Sequence, residues 1–284
     1  MIPASFEYVR ADSLDEALAA LADPEAKALA GGHSLLPALK LRIVRPTLLV
    51  DIGRLDLRGV TAGREAVTIR ALTTYDELER LDGSVPLPDA LRECAAAVGD
   101  LQVRNAGTIG GGLAHGDPAS DAAAAALALG VTLRLSSPGG TRDCPADEFF
   151  LGPFTTALQQ QELLTDVVVP VTGPGEGSAY VAVEDPASGY ALAGAAVLIR
   201  LGAGGSAPIR CRVGLTGVGG RPFRAAAVEA ALLHGGAGIA AVREALGELE
   251  VGTRDADYRH QLAAVVIWRS YEQARARAET GGAA

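Results

Sequence analysis

Three consecutive glycines, Gly110, Gly111 and Gly112, lie between Ile109 and Leu113 and constrain the fold more than any other stretch. Glycine loses more backbone freedom on folding than any other residue and brings no side chain to pack. Such a run needs an offsetting interaction. The usual one is close approach of the backbone to a ligand, with several N–H groups aimed at an anion. The residues downstream suit that use. Asp117 reads as a helix cap with Pro118 at the first helical position. Ala122 to Leu129 is a small-residue segment suited to a buried helix. Asp121 falls in its first turn, where the helix dipole favours a carboxylate and where it can accept hydrogen bonds from a sugar or polyol. Loop plus helix predicts a phosphate-and-sugar site.

A second glycine loop lies far upstream, Ala30-Gly31-Gly32-His33-Ser34-Leu35-Leu36-Pro37, after a short apolar strand end at Ala28-Leu29. Neither loop matches G-x-G-x-x-G or G-x-x-x-x-G-K-[ST], so a Rossmann or P-loop assignment fails at the residue level. Ordinary turns are the plainer reading of either loop taken singly. Two of them, both bearing hydroxyls, favour a ligand.

The bulk properties narrow the classes. With 284 residues, 49% hydrophobic and 21% charged, the chain is long enough for two domains. A formal charge of −9 argues against a nucleic-acid surface, and an aromatic content of 4% leaves few platforms for stacking bases. The start has no apolar core of signal-peptide length, and the longest apolar run, Ala122 to Leu129, is far short of a membrane span. The expected location is the cytoplasm, with peripheral placement at the inner face of the cell membrane left open. Cys94, Cys144 and Cys211 are widely spaced, with no C-x-x-C pair to seed an iron–sulfur cluster or structural zinc. If the chain is a redox subunit, its metal centres belong to other chains.

Local patterns divide the chain. Ser13-Leu14-Asp15-Glu16 and Thr74-Tyr75-Asp76-Glu77 are capping boxes opening helices. Helical spacing also runs from Pro88 to Val98. Lys27 to Leu29, Leu48 to Ile52, Ala66 to Ala71, Val131 to Leu135 and Leu163 to Pro170 read as strands, the last closing the first half. Phe149-Phe150 reads as core packing under the site. Thr172 to Gly177 has linker composition and marks a boundary near residue 174. Beyond it, Ala179 to Glu184, Ala195 to Leu201 and Ile209 to Gly217 predict a three-stranded antiparallel sheet, with a turn over 202–208. Helices follow over Arg224 to Leu233, Ile239 to Leu249 and Tyr258 to Ala278, then a frayed tail over 280–284. The outcome is an α+β chain, with strands before helices in its second domain.

Ala-Gly-Gly-His-Ser-Leu-Leu-Pro and Thr-Ile-Gly-Gly together resemble the FAD-binding medium subunits of molybdenum hydroxylases, nearest the carbon monoxide dehydrogenase type. The resemblance extends to Met1-Ile2-Pro3-Ala4-Ser5-Phe6, Asp100-Leu101-Gln102-Val103-Arg104, Glu162-Leu163-Leu164-Thr165, Gly189-Tyr190-Ala191 and Asp257-Tyr258-Arg259. It implies a two-part α/β FAD-binding domain of the vanillyl-alcohol-oxidase type over residues 1–174, split near 56, and a small α+β domain over 175–284. It sets the FAD pyrophosphate along Ala30, Gly31, Gly32, His33, Ser34 and Leu35. Thr108, Gly110, Gly111 and Gly112 match the second FAD loop, where relatives often carry Asn at the position of Gly112. Asp121 matches the position that bonds ribityl or sugar hydroxyls, Leu163 matches an apolar residue near the ring while also reading as strand core, and Tyr190 matches the tyrosine that packs against the isoalloxazine. His115, three residues after Gly112, is expected to border the flavin, and Asp117 is counted with the cofactor-binding residues. Relatives are basic where this chain has Glu184 and Asp185, and carry Asp where it has Gly189.

The same resemblance implies an electron-transfer role. Electrons would reach FAD from [2Fe–2S] clusters on a small subunit, fed by a large molybdopterin subunit, and leave for a quinone, NAD or dioxygen. The expected assembly is a dimer of heterotrimers, a heterohexamer. No Ser-His-Asp arrangement or paired-carboxylate motif stands out, so no catalytic residue and no metal ligand is assigned to this chain. Two other classes stay open: a stand-alone FAD-dependent oxidase of the same fold, and a scaffold that has lost FAD.

Overall fold

β1 (Glu7–Arg10), β2 (Ala26–Leu29) and β3 (Leu48–Asp51) form a parallel sheet with β3 in the middle. The computed structural model describes residues 2–202, 207–235, 238–247 and 255–281. Crossovers α1 (Leu14–Ala20) and α2 (Leu35–Lys40) connect the three strands. Ser13 caps α1 by accepting from the Glu16 N–H, but the Glu16 carboxylate accepts from Asp12, one residue before the expected partner. Helix α2 begins inside the first glycine motif, a helix that its sequence pattern does not announce. Ala17, Leu18, Leu21, Val50, Ile52, Leu55, Leu57 and Leu163 make the core of this part.

The next part opens with β4 (Val60–Ala62) and β5 (Ala66–Arg70), followed by α3 (Tyr75–Glu79), α4 (Asp89–Ala97), α5 (Leu101–Ala106), α6 (Ile109–His115) and α7 (Asp121–Leu129). It finishes with β6 (Thr132–Ser137), β7 (Gly140–Pro145), α8 (Ala146–Phe149), β8 (Phe150–Gly152), β9 (Thr155–Thr156) and β10 (Leu163–Pro170). The antiparallel sheet runs β4-β5-β10-β6-β7, so the last strand in sequence is central in space. Val67 and Ile69, Leu133 and Leu135, and Val167 and Val169 are all buried at period two, which gives one inward face. Ile109 and Leu113 of α6 join the same core, as does the edge-to-face pair Phe149 and Phe150. Thr74 and Glu77 form both halves of the predicted capping box on α3.

The remaining chain forms β11 (Glu176–Glu184), β12 (Ala191–Leu201), β13 (Pro208–Thr216), β14 (Phe223–Arg224), α9 (Ala226–Leu233), α10 (Ile239–Leu246) and α11 (Ala256–Gly281). Its antiparallel sheet has four strands, not the expected three. Phe223 and Arg224 pair with Leu215 and Gly214 before α9 starts, so the expected helix begins two residues late. Residues 203–206 of the expected turn, 248–249 of the expected helix, 282–284 of the tail and Met1 of the opening motif lie outside the described residues.

Helix α11 covers β11 and β12 on one face of this sheet, and α7 lies against β12 and β13. All nine residues of α7 are buried. Its alanines fit because they must: a β-carbon at Gly214 would overlap the Ala124 carbonyl oxygen, so helix and sheet touch backbone to backbone. Helix α7 is therefore the joint between the two domains, and Asp121 stands at its N-terminal end.

Candidate functional site

The two glycine motifs meet. A β-carbon at Gly31 would overlap the Ala106 carbonyl oxygen and lie 3.0 Å from the Gly107 α-carbon. One at Gly111 would lie 3.7 Å from the Ala30 β-carbon. The first motif thus runs directly along the entry to α6. Gly32 has φ +75°, which turns the chain from β2 into α2 in a conformation that favours glycine. Among the described residues, the backbone N–H groups of Gly31, Gly32, His33, Ser34 and Leu35 donate to no protein acceptor. The His33 ring turns back so that Nδ1 lies 2.9 Å from the Gly31 carbonyl oxygen, and the Ser34 hydroxyl makes no capping bond. Successive unpaired N–H groups in a tight turn form an anion-binding concavity.

The second motif works differently from its sequence reading. Gly110, Gly111 and Gly112 are helical, within α6, and their N–H groups are already committed: Gly110 to the Ala71 carbonyl, Gly111 to the Thr108 hydroxyl, and Gly112 to the Thr108 carbonyl. They are small for reasons of contact. A β-carbon at Gly110 would lie 2.7 Å from the Ala71 carbonyl oxygen, and one at Gly112 would overlap the Tyr75 hydroxyl. Gly111 is exposed beside Ala30, leaving bare backbone facing the first motif.

Asp117 does not cap α7. It closes a turn of its own, accepting from the Ala119 N–H at 2.9 Å, and α7 starts at Asp121 with Ser120 as an N-cap that makes no side-chain bond. Pro118 is held outside the helix because its carbonyl accepts from the Gly217 N–H and the Thr216 hydroxyl of the second domain. Asp121 is nine-tenths buried. One of its oxygens, Oδ1, accepts from the Tyr180 hydroxyl, while Oδ2 makes no hydrogen bond to another residue among the described residues. Burial pushes its carboxyl up to about 6, against the opposing bond from Tyr180. Tyr75 and Cys94 are also buried beside this carboxylate, and burial raises both of their pKa values. Sequence reasoning missed Tyr75 and Tyr180. Tyr75 is a helix-opening residue and Tyr180 a strand residue, and no local pattern separates either from ordinary core.

Tyr190 lies in the connection between β11 and β12 with about half its surface open, and Asp117 and Asp121 are close enough to raise its hydroxyl pKa, after desolvation. Asp185 organises this turn, accepting from Ala187 through its side chain and from Ser188 and Gly189 through its carbonyl. Gly189 has φ +72° in open space, so the turn itself explains its glycine. His115 ends α6 with its ring 5.1 Å from that of Phe154, and burial lowers its pKa, which keeps it neutral near pH 7. Leu163 is buried core at the start of β10. Among the described residues, no group of three or more His, Cys, Asp or Glu side chains is placed to hold a metal ion, and no helix is long and apolar enough to cross a membrane.

A run of N–H groups with no protein acceptor, a bare stretch of helix beside it, and a buried carboxylate with one open oxygen suit a diphosphate joined to a polyol. Fold and site define a two-domain FAD-binding flavoprotein. The description "FAD binding domain in molybdopterin dehydrogenase" matches residues 4–172, and "CO dehydrogenase flavoprotein C-terminal domain" matches residues 178–274. The chain belongs to the FAD-binding medium subunits of the molybdenum hydroxylases, an oxidoreductase family. It is 37% identical to the carbon monoxide dehydrogenase medium chain of Hydrogenophaga pseudoflava, over 98% of this chain and 99% of that one. It is 43% identical to the glyceraldehyde dehydrogenase medium chain of Sulfolobus acidocaldarius, over 81% of each. The solved structure of reconstituted CO dehydrogenase from Oligotropha carboxidovorans contains a chain matching 98% of this one and 100% of itself, at 35% identity and a TM-score of 0.90.

Proposed function

We propose that this chain is the electron-transfer flavoprotein subunit of a molybdenum-containing hydroxylase or dehydrogenase, receiving electrons from [2Fe–2S] clusters on a small partner and delivering them to an external acceptor. The observation that carries the reading is the contact of Gly31 with Ala106 and of Gly111 with Ala30, which brings two distant motifs to one seat. Bound FAD would supply a carrier able to exchange electrons singly or in pairs. The chain's own residues would do the holding. N–H groups of residues 31–35 and the Ser34 hydroxyl bind the pyrophosphate. Asp121 accepts from a ribityl or sugar hydroxyl through Oδ2. The half-open ring of Tyr190 suits a flat aromatic face.

Cys94, Cys144 and Cys211 are free and buried. We therefore assign the iron–sulfur centres to a small subunit and the molybdopterin to a large one, assembled as a dimer of heterotrimers in the cytoplasm. Residues 1–174, divided near 56, form the FAD-binding domain in this reading, and residues 175–284 the second domain. The substrate is chosen on the large subunit, as the different substrates in the names of the carbon monoxide and glyceraldehyde enzymes suggest. Co-purification from the native host tests the proposal. The expected result is two further chains, with molybdenum, iron and FAD. A chain that purifies alone, yellow, and oxidises alcohols or amines by itself would replace this reading with that of a free-standing oxidase.

A further inference from the structure

Asp121 belongs to the first domain, yet the group that fixes its carboxylate comes from the second. We propose that Tyr180 is a positioning residue that aims Asp121 Oδ2 at the cofactor, so that the FAD seat is complete only when the C-terminal domain is docked. This inference rests on the reading of Asp121 as a ligand to a cofactor hydroxyl.

Tyr180 lies in β11, with only 5% of its surface exposed, and its hydroxyl donates to Asp121 Oδ1. A carboxylate held at one oxygen by a rigid phenol has its second oxygen fixed in direction. The tyrosine is itself held from both sides. Its N–H donates to Glu93 Oε2 of α4 at 2.7 Å, across the domain boundary. Arg277 of α11 pairs with the other oxygen of Glu93, at 2.5 Å, and donates to the Ser178 carbonyl at 2.7 Å. On the neighbouring strand, a β-carbon at Gly194 would overlap the Tyr180 hydroxyl, so that glycine keeps the phenol's place clear. The main chain of Asp121 is held too, since the Cys94 thiol donates to its carbonyl at 3.2 Å. Backbone and one oxygen are both fixed. Only Oδ2 is left open.

The titratable groups facing Asp121 are Tyr75 on α3, Cys94 on α4, Tyr180 and Glu184 on β11, Asp117 before α7, and Tyr190 after β11. Of these, Tyr180 lowers the Asp121 pKa, while Glu184 and Asp117 raise it. Losing the Tyr180 hydroxyl therefore moves the carboxyl's proton affinity upward, and an oxygen that must accept from a cofactor hydroxyl is neutralised at a higher pH.

The test uses the full chain stripped of flavin, with FAD titrated back by fluorescence from about pH 5 to about pH 8, bracketing this carboxyl's pKa. Tyr180→Phe should bind FAD about tenfold more weakly near pH 7, the worth of one hydrogen bond to a charged group. The acid limb of its affinity profile should move to higher pH, a change that general loosening of the fold does not produce. Asp121→Asn should also weaken binding, and Tyr180→Phe added to it should cost little more. If Tyr180→Phe binds like wild type at every pH, or if the two losses simply add, the positioning role is wrong. If Asp121→Asn and Asp121→Ala both bind FAD normally, the reading of Asp121 as a ligand falls first. A Tyr180→Phe protein that has lost its cooperative unfolding transition would show a structural role instead, and would also overturn the proposal.

Discussion

The hydroxyl of Tyr75 stands over the α-carbon of Gly112, in the space that any side chain there would need. The ring is almost fully buried, so it has nowhere to retreat. Gly112→Ala should therefore destabilise the cofactor-free protein by about 2 kcal/mol, the usual scale of overpacking in a closed core. The Tyr75 Cζ lies 3.3 Å from the same β-carbon position, so Tyr75→Phe in the same chain should restore only part of the loss. Urea unfolding of the two single variants and the double variant measures this. A stable Gly112→Ala protein with unchanged midpoint would contradict the contact.

Gly31→Ala should act on the cofactor more than on the fold. Its β-carbon meets a backbone carbonyl, that of Ala106, which cannot rotate aside. The first motif must move away from α6, and the N–H groups of residues 31–35 move with it. We expect FAD affinity to fall about tenfold or more, as misplacement of a charged hydrogen-bonding set would produce. Gly83→Ala, where an added β-carbon meets nothing within 4 Å, serves as the control. Equal affinities for the two variants would separate the first motif from the cofactor.

These two glycines show what was legible in the sequence. Motif position, domain order, the strand over Leu163–Pro170 and the Thr74 capping box follow from local rules of period and cap and appear where those rules put them, and the strand expected over Leu48–Ile52 ends one residue earlier, at Asp51. The role of the glycine triplet did not follow. Close approach to a ligand and close approach to another helix or strand remove side chains alike, and only the neighbours Ala71 and Tyr75 distinguish them. Asp117-Pro118 reads as a helix start because nothing local shows Gly217 and Thr216 drawing Pro118 out of the helix. Tyr180 was invisible for the same reason, since its partner is 59 residues away in another domain.

Glu162, in the connection before β10, gives a prediction for acid stability. Its carboxylate takes two bonds from Arg142, at 2.7 and 2.8 Å, and one from the Gln159 N–H at 2.8 Å, and its side chain is only 6% exposed. The bond from Arg142 leads the causes that hold its pKa below the usual carboxylate value. A carboxylate depressed in the folded state stabilises fully above its unfolded pKa, and that contribution disappears as pH falls through the folded value. Glu162→Gln should cost about 2 kcal/mol near neutral pH. Its deficit should shrink on acidification below about pH 4. A deficit constant from neutral pH into that range would mean the charge is not involved.

Asp121 should show the opposite sign. In the cofactor-free protein its carboxyl is raised from 3.8 to about 6 by burial, so the folded state holds this proton more tightly than the unfolded chain does. Its contribution to stability is complete below the unfolded value and is lost as pH rises through about 6. Near neutral pH a buried charge remains, at a cost of order 3 kcal/mol. Removing that charge with Asp121→Asn should therefore narrow the stability difference between neutral and mildly acidic solution relative to wild type. Thermal unfolding of the two flavin-free proteins across that interval decides the matter, because all other carboxylates are common to both. If the wild-type and Asp121→Asn curves run parallel through pH 6, the carboxylate is not titrating in this window, and its burial against Tyr180 does not set its charge.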